Sequence, residues 1–188
     1  MTFHHFPDSS RGPAQSDLSE LDGELVTTEK LDGGSLTFTR DAVQAAQPWD
    51  RPATALWTMI AHHIPDHWRV CGESMWARRG VAYTDLPGAF IVHGIWDETD
   101  TLLGWDDTTD WAERLELPVV PVLYRGASLS EARAAWSRRR DQRDSEGYVV
   151  RRAGRIPAAL LPMRLLCWVR SEHTRVEAAE PFEVNEFA

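Results

Sequence analysis

Lys30 is the residue best suited to covalent chemistry, because it is the single lysine in a chain whose other strongly basic residues are all arginine. A lysine amine can lose its proton and attack an electrophile, whereas an arginine guanidinium stays protonated in proteins. Lys30 stands directly before Leu31-Asp32-Gly33, and Asp-Gly is also a common hairpin signal. The tetrapeptide therefore allows two interpretations, a nucleophile beside a turn or an ordinary lysine before a hairpin.

Two acidic motifs follow Lys30, and each lies at the end of a predicted strand. Glu73 closes the motif at residues 69–73, and Glu146 stands before Gly147 in the motif at residues 145–151. Each has a plain alternative interpretation. Glu73 is also compatible with a surface position on a strand, and Glu146-Gly147 with a simple turn.

The elements that must position these motifs are mostly strands. Runs rich in β-branched and aromatic residues predict strands at 25–28, 36–39, 68–71, 89–96, 101–105, 119–124, 148–150 and 165–169. Helical spacing predicts helices at 52–64, at 107–115 with Asp107 as the cap, and at 132–140, where Ser128 and Glu131 form a capping box. Strands and helices do not alternate regularly, so we expect an α+β fold with largely antiparallel sheets and flanking helices.

Length and composition predict one domain. A chain of 188 residues with 43% hydrophobic content can form one well-packed core, so we expect a single domain over 21–188 after a poorly ordered lead-in at 1–20. Cys71 and Cys167 are too few for a disulfide framework and are expected to be reduced thiols in strands. Neither a leader sequence nor a long apolar run is present, which predicts a cytoplasmic protein with no membrane partner.

The charge balance limits how this chain can contact nucleic acid. A net charge of −9 argues against a broad nonspecific nucleic-acid surface, because each phosphate contact needs a cation. Any such contact must be local. The concentrated arginines between 138 and 155 are compatible with a phosphate-binding face and equally with a solvated helix face.

The ordered set of motifs resembles the covalent nucleotidyltransferase superfamily of ATP-dependent ligases and capping enzymes, and is most similar to its RNA ligase branch. The stretches 75–78, 81–87, 94–97 and 117–124 also look like bacterial members of that branch, so the resemblance covers roughly residues 25–175. It implies a nucleotidyltransferase ligase core, ATP-grasp-like in type. It further implies that Lys30 takes AMP from ATP as lysyl-AMP and passes it to a 5′-phosphate RNA end for strand joining.

The resemblance also implies roles for the other motif residues. Glu73 and Glu146 would supply a ligand for Mg²⁺ and an acceptor for the ribose hydroxyls, while Phe90 or His93 would stack on adenine. For Lys30 to be reactive its pKa must be lowered by burial or by cations such as Arg151, Arg164 or Arg170. The implied nucleotide site comprises Glu29, Leu31, Asp32, Gly33, Glu73, Phe90, His93, Glu146, Arg164 and Arg170.

The sequence departs from the family pattern in two places. The stretch 42–47, which includes Ala46, lacks an arginine that engages substrate phosphate, and Cys167 stands where the last motif normally has a lysine. The short stretch after this motif also leads us to expect that the C-terminal domain of many polynucleotide ligases is absent. Two alternatives therefore stay open: a member that binds nucleotide or RNA ends without turnover, and one that transfers AMP to an acceptor other than RNA. A partner protein that supplies the missing parts is a further expectation.

Overall fold

A computed structural model describes residues 21, 23–44, 47–140, 145–171 and 181–188, with no side-chain description for positions 139 and 140. The predicted lead-in at 1–20 and the departure at Ala46 lie outside the described residues. None of the helices in the described part of the chain combines the length and the hydrophobicity that a membrane crossing requires.

The described part of the chain contains ten strands and four α-helices, besides three short 3-10 helices. In chain order they are β1 (Leu25–Lys30), β2 (Gly34–Phe38), β3 (Val43–Gln44), α1 (Arg51–Ile60), β4 (Arg69–Ser74), β5 (Phe90–Trp96), β6 (Thr101–Leu102), α2 (Trp105–Arg114), β7 (Val122–Gly126), α3 (Leu129–Arg140), β8 (Gly147–Arg152), β9 (Ile156–Pro157), α4 (Leu161–Arg164) and β10 (Leu165–Val169). Cys71 in β4 and Cys167 in β10 are reduced thiols in strands, as predicted.

The strands form two sheets with antiparallel pairing throughout. One sheet has four strands in the order β10-β8-β1-β7, and the other has six in the order β3-β2-β4-β5-β6-β9. The register of the first sheet places Lys30 opposite Gly147, and Gly147 opposite Val169. The second sheet places Glu73 opposite Ile91. The predicted α+β fold with largely antiparallel sheets is therefore confirmed.

Apolar side chains explain how helices and sheets are layered. One cluster joins α1 and α2 to the six-stranded sheet through residues such as Ile60, Ala112 and Phe38. Another packs α3 on the four-stranded sheet through Trp136. Two further clusters contain residues of both sheets, including Val26 of β1 and Ile91 of β5. The two sheets thus face each other, with helices on their outer faces.

The hairpin interpretation of Leu31-Asp32-Gly33 is wrong, because β1 and β2 belong to different sheets. The backbone N–H of Asp32 donates to the Tyr83 hydroxyl at 2.9 Å, and Asp32 Oδ2 accepts from the backbone N–H of Val81 at 2.9 Å. These distant partners take the place of hairpin hydrogen bonds. The segment is the crossover by which the chain leaves one sheet and enters the other.

Several predicted boundaries also change. The predicted strand at 101–105 ends at Leu102, because the N–H of Trp105 donates to the Ala153 carbonyl at 2.7 Å and a helix begins there. Gly104 caps α2, so Asp107 lies inside its first turn rather than at the cap. The capping contact of Ser128 is present, since its Oγ accepts from the N–H of Glu131 at 3.3 Å, but α3 begins earlier than predicted.

Candidate active site

Lys30 lies at the end of β1 beside the start of β8. Its Nζ is 2.6 Å from Glu146 Oε2, and the two side chains are 22% and 8% exposed. A Cβ atom on Gly147 would lie 2.0 Å from the Trp168 carbonyl oxygen, so only glycine permits this approach of β10 to β8. Glu146-Gly147 is thus a strand start that brings a carboxylate to the lysine, not a simple turn.

Glu73 reaches the same place from the other sheet. It lies on β4, and its carboxylate interacts electrostatically with both Lys30 and Glu146. Burial raises the pKa of Glu73, Lys30 lowers it and Glu146 raises it again, with a net value of about 7. Side chains from both sheets therefore meet at Lys30, where two carboxyl groups act on one amine.

The pKa of Lys30 itself is raised, not lowered. Burial alone would lower it, but the carboxylates of Glu146 and Glu73 outweigh the burial and favour the protonated amine. The prediction that arginine neighbours lower this pKa is therefore wrong. The groups that act on the amine are acidic, and these charges must be offset before Lys30 can act as a nucleophile.

His93, and not Phe90, lies on the face of β5 that carries the site. Phe90 is fully buried and stacks on Phe38 at 4.0 Å between ring centroids, on the face that packs against helices. His93 is two residues beyond Ile91 and shares its face, and its Nε2 is 4.0 Å from Glu73 Oε1. Burial, with the cations Lys30 and Arg151, lowers the pKa of His93 to about 3, so the imidazole is uncharged near neutral pH.

The side chains next to Lys30 in the sequence are buried and do not point into solvent. Leu31 is 2% exposed and packs in the core between the sheets, so only its backbone is available to a nucleotide. Asp32 uses its carboxylate on Val81, and Glu29 is buried with its N–H donating to the Pro121 carbonyl at 2.9 Å. A Cβ on Gly33 would be 2.7 Å from the sulfur of Met75, which explains the glycine.

The cations predicted near the phosphates lie at opposite ends of β10. The backbone N–H of Arg170 donates to the Glu146 carbonyl at 3.1 Å, which places Arg170 at the Lys30 end. Arg164 ends α4, before the first residue of β10. Cys167 lies between them, and its thiol interacts electrostatically with Lys30. The structure thus brings Arg170 and Cys167 to the site and leaves Arg164 at the far end of the strand.

Two residues at the site were missed by sequence reasoning. Arg79 interacts with the Glu73 carboxylate and lowers its pKa, and a Cβ on Gly34 would be 3.0 Å from Arg79 Nη2. Tyr83 holds the crossover through Asp32. Tyr83 lies in the stretch 81–87 that resembles the family and Arg79 directly follows the stretch 75–78, but no local pattern distinguishes an inward arginine or tyrosine from an exposed one.

Glu73 and Glu146 fit a magnesium ion. Mg²⁺ prefers carboxylate oxygens and is commonly bound through one or two of them together with substrate phosphates. Burial first, and then the nearby carboxylate of Glu146, raise the pKa of Glu73, and a bound cation would favour the ionised form of this carboxylate. The described residues contain no group of three or more histidine, cysteine, aspartate or glutamate side chains arranged as a metal site, so the protein's own ligands to such an ion would be these two.

Comparison with known proteins identifies the fold. The family model for RNA ligase matches residues 23–160, well over half of the chain. An archaeal ATP-dependent RNA ligase shares 16% identity and a TM-score of 0.58 over 84% of this chain and 45% of its own. A mutant RNA ligase of Naegleria gruberi, solved with ATP and Mn, shares 17% identity and a TM-score of 0.51, over 77% of this chain and 52% of that one.

A putative ATP-dependent DNA ligase from Aquifex aeolicus is similar at 16% identity and a TM-score of 0.51, over 73% of this chain and 44% of its own. The chain thus spans about half the length of these solved structures, and no curated protein matches it. At such identities the structures establish the ligase nucleotidyltransferase fold. The match over residues 23–160 goes further, and the chain belongs to the RNA ligase family.

Proposed function

We propose that the protein is an ATP-dependent nucleotidyltransferase in which Lys30 forms lysyl-AMP and AMP then passes to the 5′-phosphate of an RNA end for strand joining. The observation that carries this proposal is the position of the single lysine beside two carboxylates from different sheets. Such a cluster puts a nucleophile and hard oxygen ligands in one place. The uncharged imidazole of His93 beside Glu73 supports a place for adenine to stack.

In the first step the Lys30 amine attacks the α-phosphorus of ATP. A phosphorus–nitrogen bond forms, the bond from the α-phosphorus to the bridging oxygen breaks, and pyrophosphate leaves. The amine must first lose a proton, and it donates a hydrogen bond to Glu146 Oε2 at 2.6 Å. Because Glu146 and Glu73 raise the pKa of Lys30, the amine becomes a nucleophile only when their negative charge is offset.

Glu73 and Glu146 are the residues that would hold a magnesium ion. When bound, the ion supplies positive charge that stabilises the phosphates and the pyrophosphate leaving group. Carboxylates engaged in that way no longer favour the protonated form of Lys30. Without a bound cation these two side chains raise the pKa of Lys30 and keep its amine protonated. A cation held by them would oppose that effect.

The later steps follow from the chemistry of an adenylate. The 5′-phosphate of RNA attacks the phosphorus of lysyl-AMP, which releases Lys30 and forms a phosphoanhydride. A 3′-hydroxyl then attacks the RNA phosphorus, forms the phosphodiester and releases AMP. Arg170 and Arg79, which lie near Glu146 and Glu73, are the cations available to the phosphates.

A second candidate function is binding without turnover, and Cys167 is the observation that favours it. Its side chain interacts electrostatically with Lys30, and it lies on the strand where the family motif normally has a lysine. A neutral thiol cannot stabilise charge on the phosphate, and the loss of one such contact commonly costs about 3 to 4 kcal/mol of transition-state stabilisation. A protein with this defect would bind ATP and not transfer it.

The intact mass after incubation with ATP and Mg²⁺ tests the proposal. We expect one added adenylate on the wild type and none on Lys30→Arg, which keeps a cation beside Glu146 but cannot act as a nucleophile. Incubation with 5′-phosphorylated RNA should then remove the adenylate from the protein. ATP binding without an adduct would select the second candidate, and an adduct that RNA does not discharge would indicate another acceptor.

A further inference from the structure

Residues 183–188, at the end of the last described segment, lie along residues 75–86 of the loop that connects β4 to β5, and are called the strap here. Backbone hydrogen bonds join the two, including Arg78 N–H to the Glu183 carbonyl at 2.7 Å and Ala188 N–H to the Leu86 carbonyl at 3.0 Å. Phe187 stacks on Trp76 at 5.6 Å between ring centroids, with an interplanar angle of 17°. The strap is therefore packed against the loop along its whole length.

Asn185 is the side chain that ties the strap to both parts of this loop. It is 3% exposed, its Oδ1 accepts from the backbone N–H of Tyr83 at 3.1 Å, and its Nδ2 donates to the Met75 carbonyl at 2.8 Å. A buried amide whose donor and acceptor are both engaged fixes the separation of its two partners. Asn185 thus sets how far apart Met75 and Tyr83 lie.

Both partners of Asn185 touch the crossover that follows Lys30. The Tyr83 hydroxyl accepts the backbone N–H of Asp32 at 2.9 Å. A Cβ atom on Gly33 would lie 2.7 Å from the sulfur of Met75, so the Met75 side chain closely approaches the Gly33 backbone. The crossover is therefore hydrogen-bonded at Asp32 and closely approached at Gly33, and the residues responsible, Tyr83 and Met75, are both bonded to Asn185.

We propose that Asn185 is a positioning residue for the nucleophile. Through Tyr83 and Met75 it fixes the backbone of the crossover at residues 31–33, and so fixes the orientation of Lys30 at the end of β1. This inference rests on the proposed function of Lys30, because positioning has a kinetic meaning only if Lys30 reacts. A small displacement of a reacting group lowers the rate of reaction far more than it weakens the binding of the substrate. Asn185 is 3% exposed and bonded to Tyr83 and Met75, so it acts through these two residues and not on the nucleotide.

Hydrogen exchange tests the positioning without any reaction. In Asn185→Ala we expect the amides of Asp32 and Val81 to exchange at least about ten times faster, while amides of α3 keep their wild-type rates. Glu183→Gln is the matched control, because it alters an exposed strap residue that pairs with Arg78 at the surface, and its exchange rates should not change. Unchanged rates at Asp32 and Val81, or equal acceleration everywhere, would overturn the inference.

Single-turnover kinetics supply the second readout. Asn185→Ala should lower the rate of adenylate formation by about tenfold while the dissociation constant of ATP changes by less than about threefold. Tyr83→Phe removes the hydroxyl that accepts from Asp32, and its effect in the Asn185→Ala background should be smaller than in the wild type. A fully additive double variant, or a loss of ATP affinity that matches the loss of rate, would contradict a positioning role.

The two experiments separate this inference from the proposed function. If the wild type forms no adenylate, the proposed function fails, and the exchange rates of Asp32 and Val81 still decide whether Asn185 holds the crossover. If adenylate forms normally in Asn185→Ala, the proposed function stands and the inference fails.

Discussion

Cys167 is the residue at which we expect a single substitution to raise the rate of adenylate formation. Its side chain interacts with Lys30, and the motif to which its strand belongs normally supplies a lysine there. A cation at this position would stabilise charge on the phosphate and would also oppose the carboxylates that raise the pKa of Lys30.

We therefore expect Cys167→Lys to form adenylate at least about ten times faster than the wild type. The measurement is the rate of incorporation of labelled AMP under single-turnover conditions. Met163→Lys is the matched control, because it adds the same charge at an exposed position on α4. Equal rates in the wild type and in Cys167→Lys would show that the thiol does not stand at the phosphate.

Glu73 should make the stability of the fold depend on pH. Its pKa is raised from 4.5 to about 7, so the folded protein holds this proton more tightly than the unfolded chain. The ionised carboxylate therefore destabilises the fold as the pH rises from about 4.5 to about 7, and the effect is complete above that range. Each unit of pKa difference corresponds to about 1.4 kcal/mol.

Glu73→Gln should consequently have a higher free energy of unfolding than the wild type at pH 8, by about 2 to 3 kcal/mol, with little difference at pH 4. Urea unfolding across this range measures it. Glu113→Gln, a change at an exposed carboxylate on α2, should show no such trend. A Glu73→Gln variant less stable than the wild type at pH 8 would mean that the carboxylate is paired favourably.

The sequence predicts a property of a residue when that property depends only on the type of amino acid. It does not predict a property that depends on which side chains lie nearby in the folded protein. The single lysine, Glu73 and Glu146 are evident from their motifs, and the structure brings all three together. The sign of the Lys30 pKa shift was not predictable, because it depends on which charges of two separate sheets face the amine. The faces of Phe90 and His93 depend in the same way on the register of β5.

At the scale of elements, β8 and β10 show how backbone packing delivers a side chain. Glu146 reaches Lys30 because the two strands approach at Gly147, where a Cβ would lie 2.0 Å from the Trp168 carbonyl oxygen. Any side chain at this position forces β10 away from β8.

Gly147→Ala should therefore lower the free energy of unfolding by about 2 kcal/mol or more, and should also weaken adenylate formation by moving Glu146. Gly154→Ala is the matched control, since nothing lies within 4 Å of a Cβ at that position, and it should change stability by less than about 1 kcal/mol. Chemical denaturation of both variants makes the comparison. Equal stabilities would show that the strands can separate at little cost.

The positions of the strands and helices were largely predictable from the sequence, but the segments against which they pair and pack were not. β-branched runs identified β1, β5 and β10, and the strand at 165–169 has the predicted bounds. The Asp-Gly signal suggested a hairpin, but Asp32 is held instead by Val81 and Tyr83, some fifty residues later in the sequence. A local signal cannot anticipate a partner that only the assembled fold supplies.

For the molecule as a whole, the net charge of −9 limits how RNA can be held. If the proposed function is right, contacts are confined to phosphates near Lys30, where Arg170 and Arg79 lie. Binding of a 5′-phosphorylated single-stranded RNA should then depend weakly on salt, with a slope of log K against log salt no steeper than about −2, as for about three phosphate contacts. A markedly steeper slope, measured by titration between low and moderate salt, would reveal a broad cationic surface.

The single lysine has one more consequence for the whole chain. Because Lys30 is the only side-chain amine, reductive methylation with an isotope-labelled reagent places a spectroscopic probe at one side chain, and the α-amino group titrates in a separate, lower range. The resonance of that probe would report the charge state of the nucleophile directly. Its midpoint should lie above the ordinary value of 10.5 and should fall in a Glu146→Gln variant. A single chemical label can thus be placed on Lys30 Nζ, the atom proposed to act as the nucleophile.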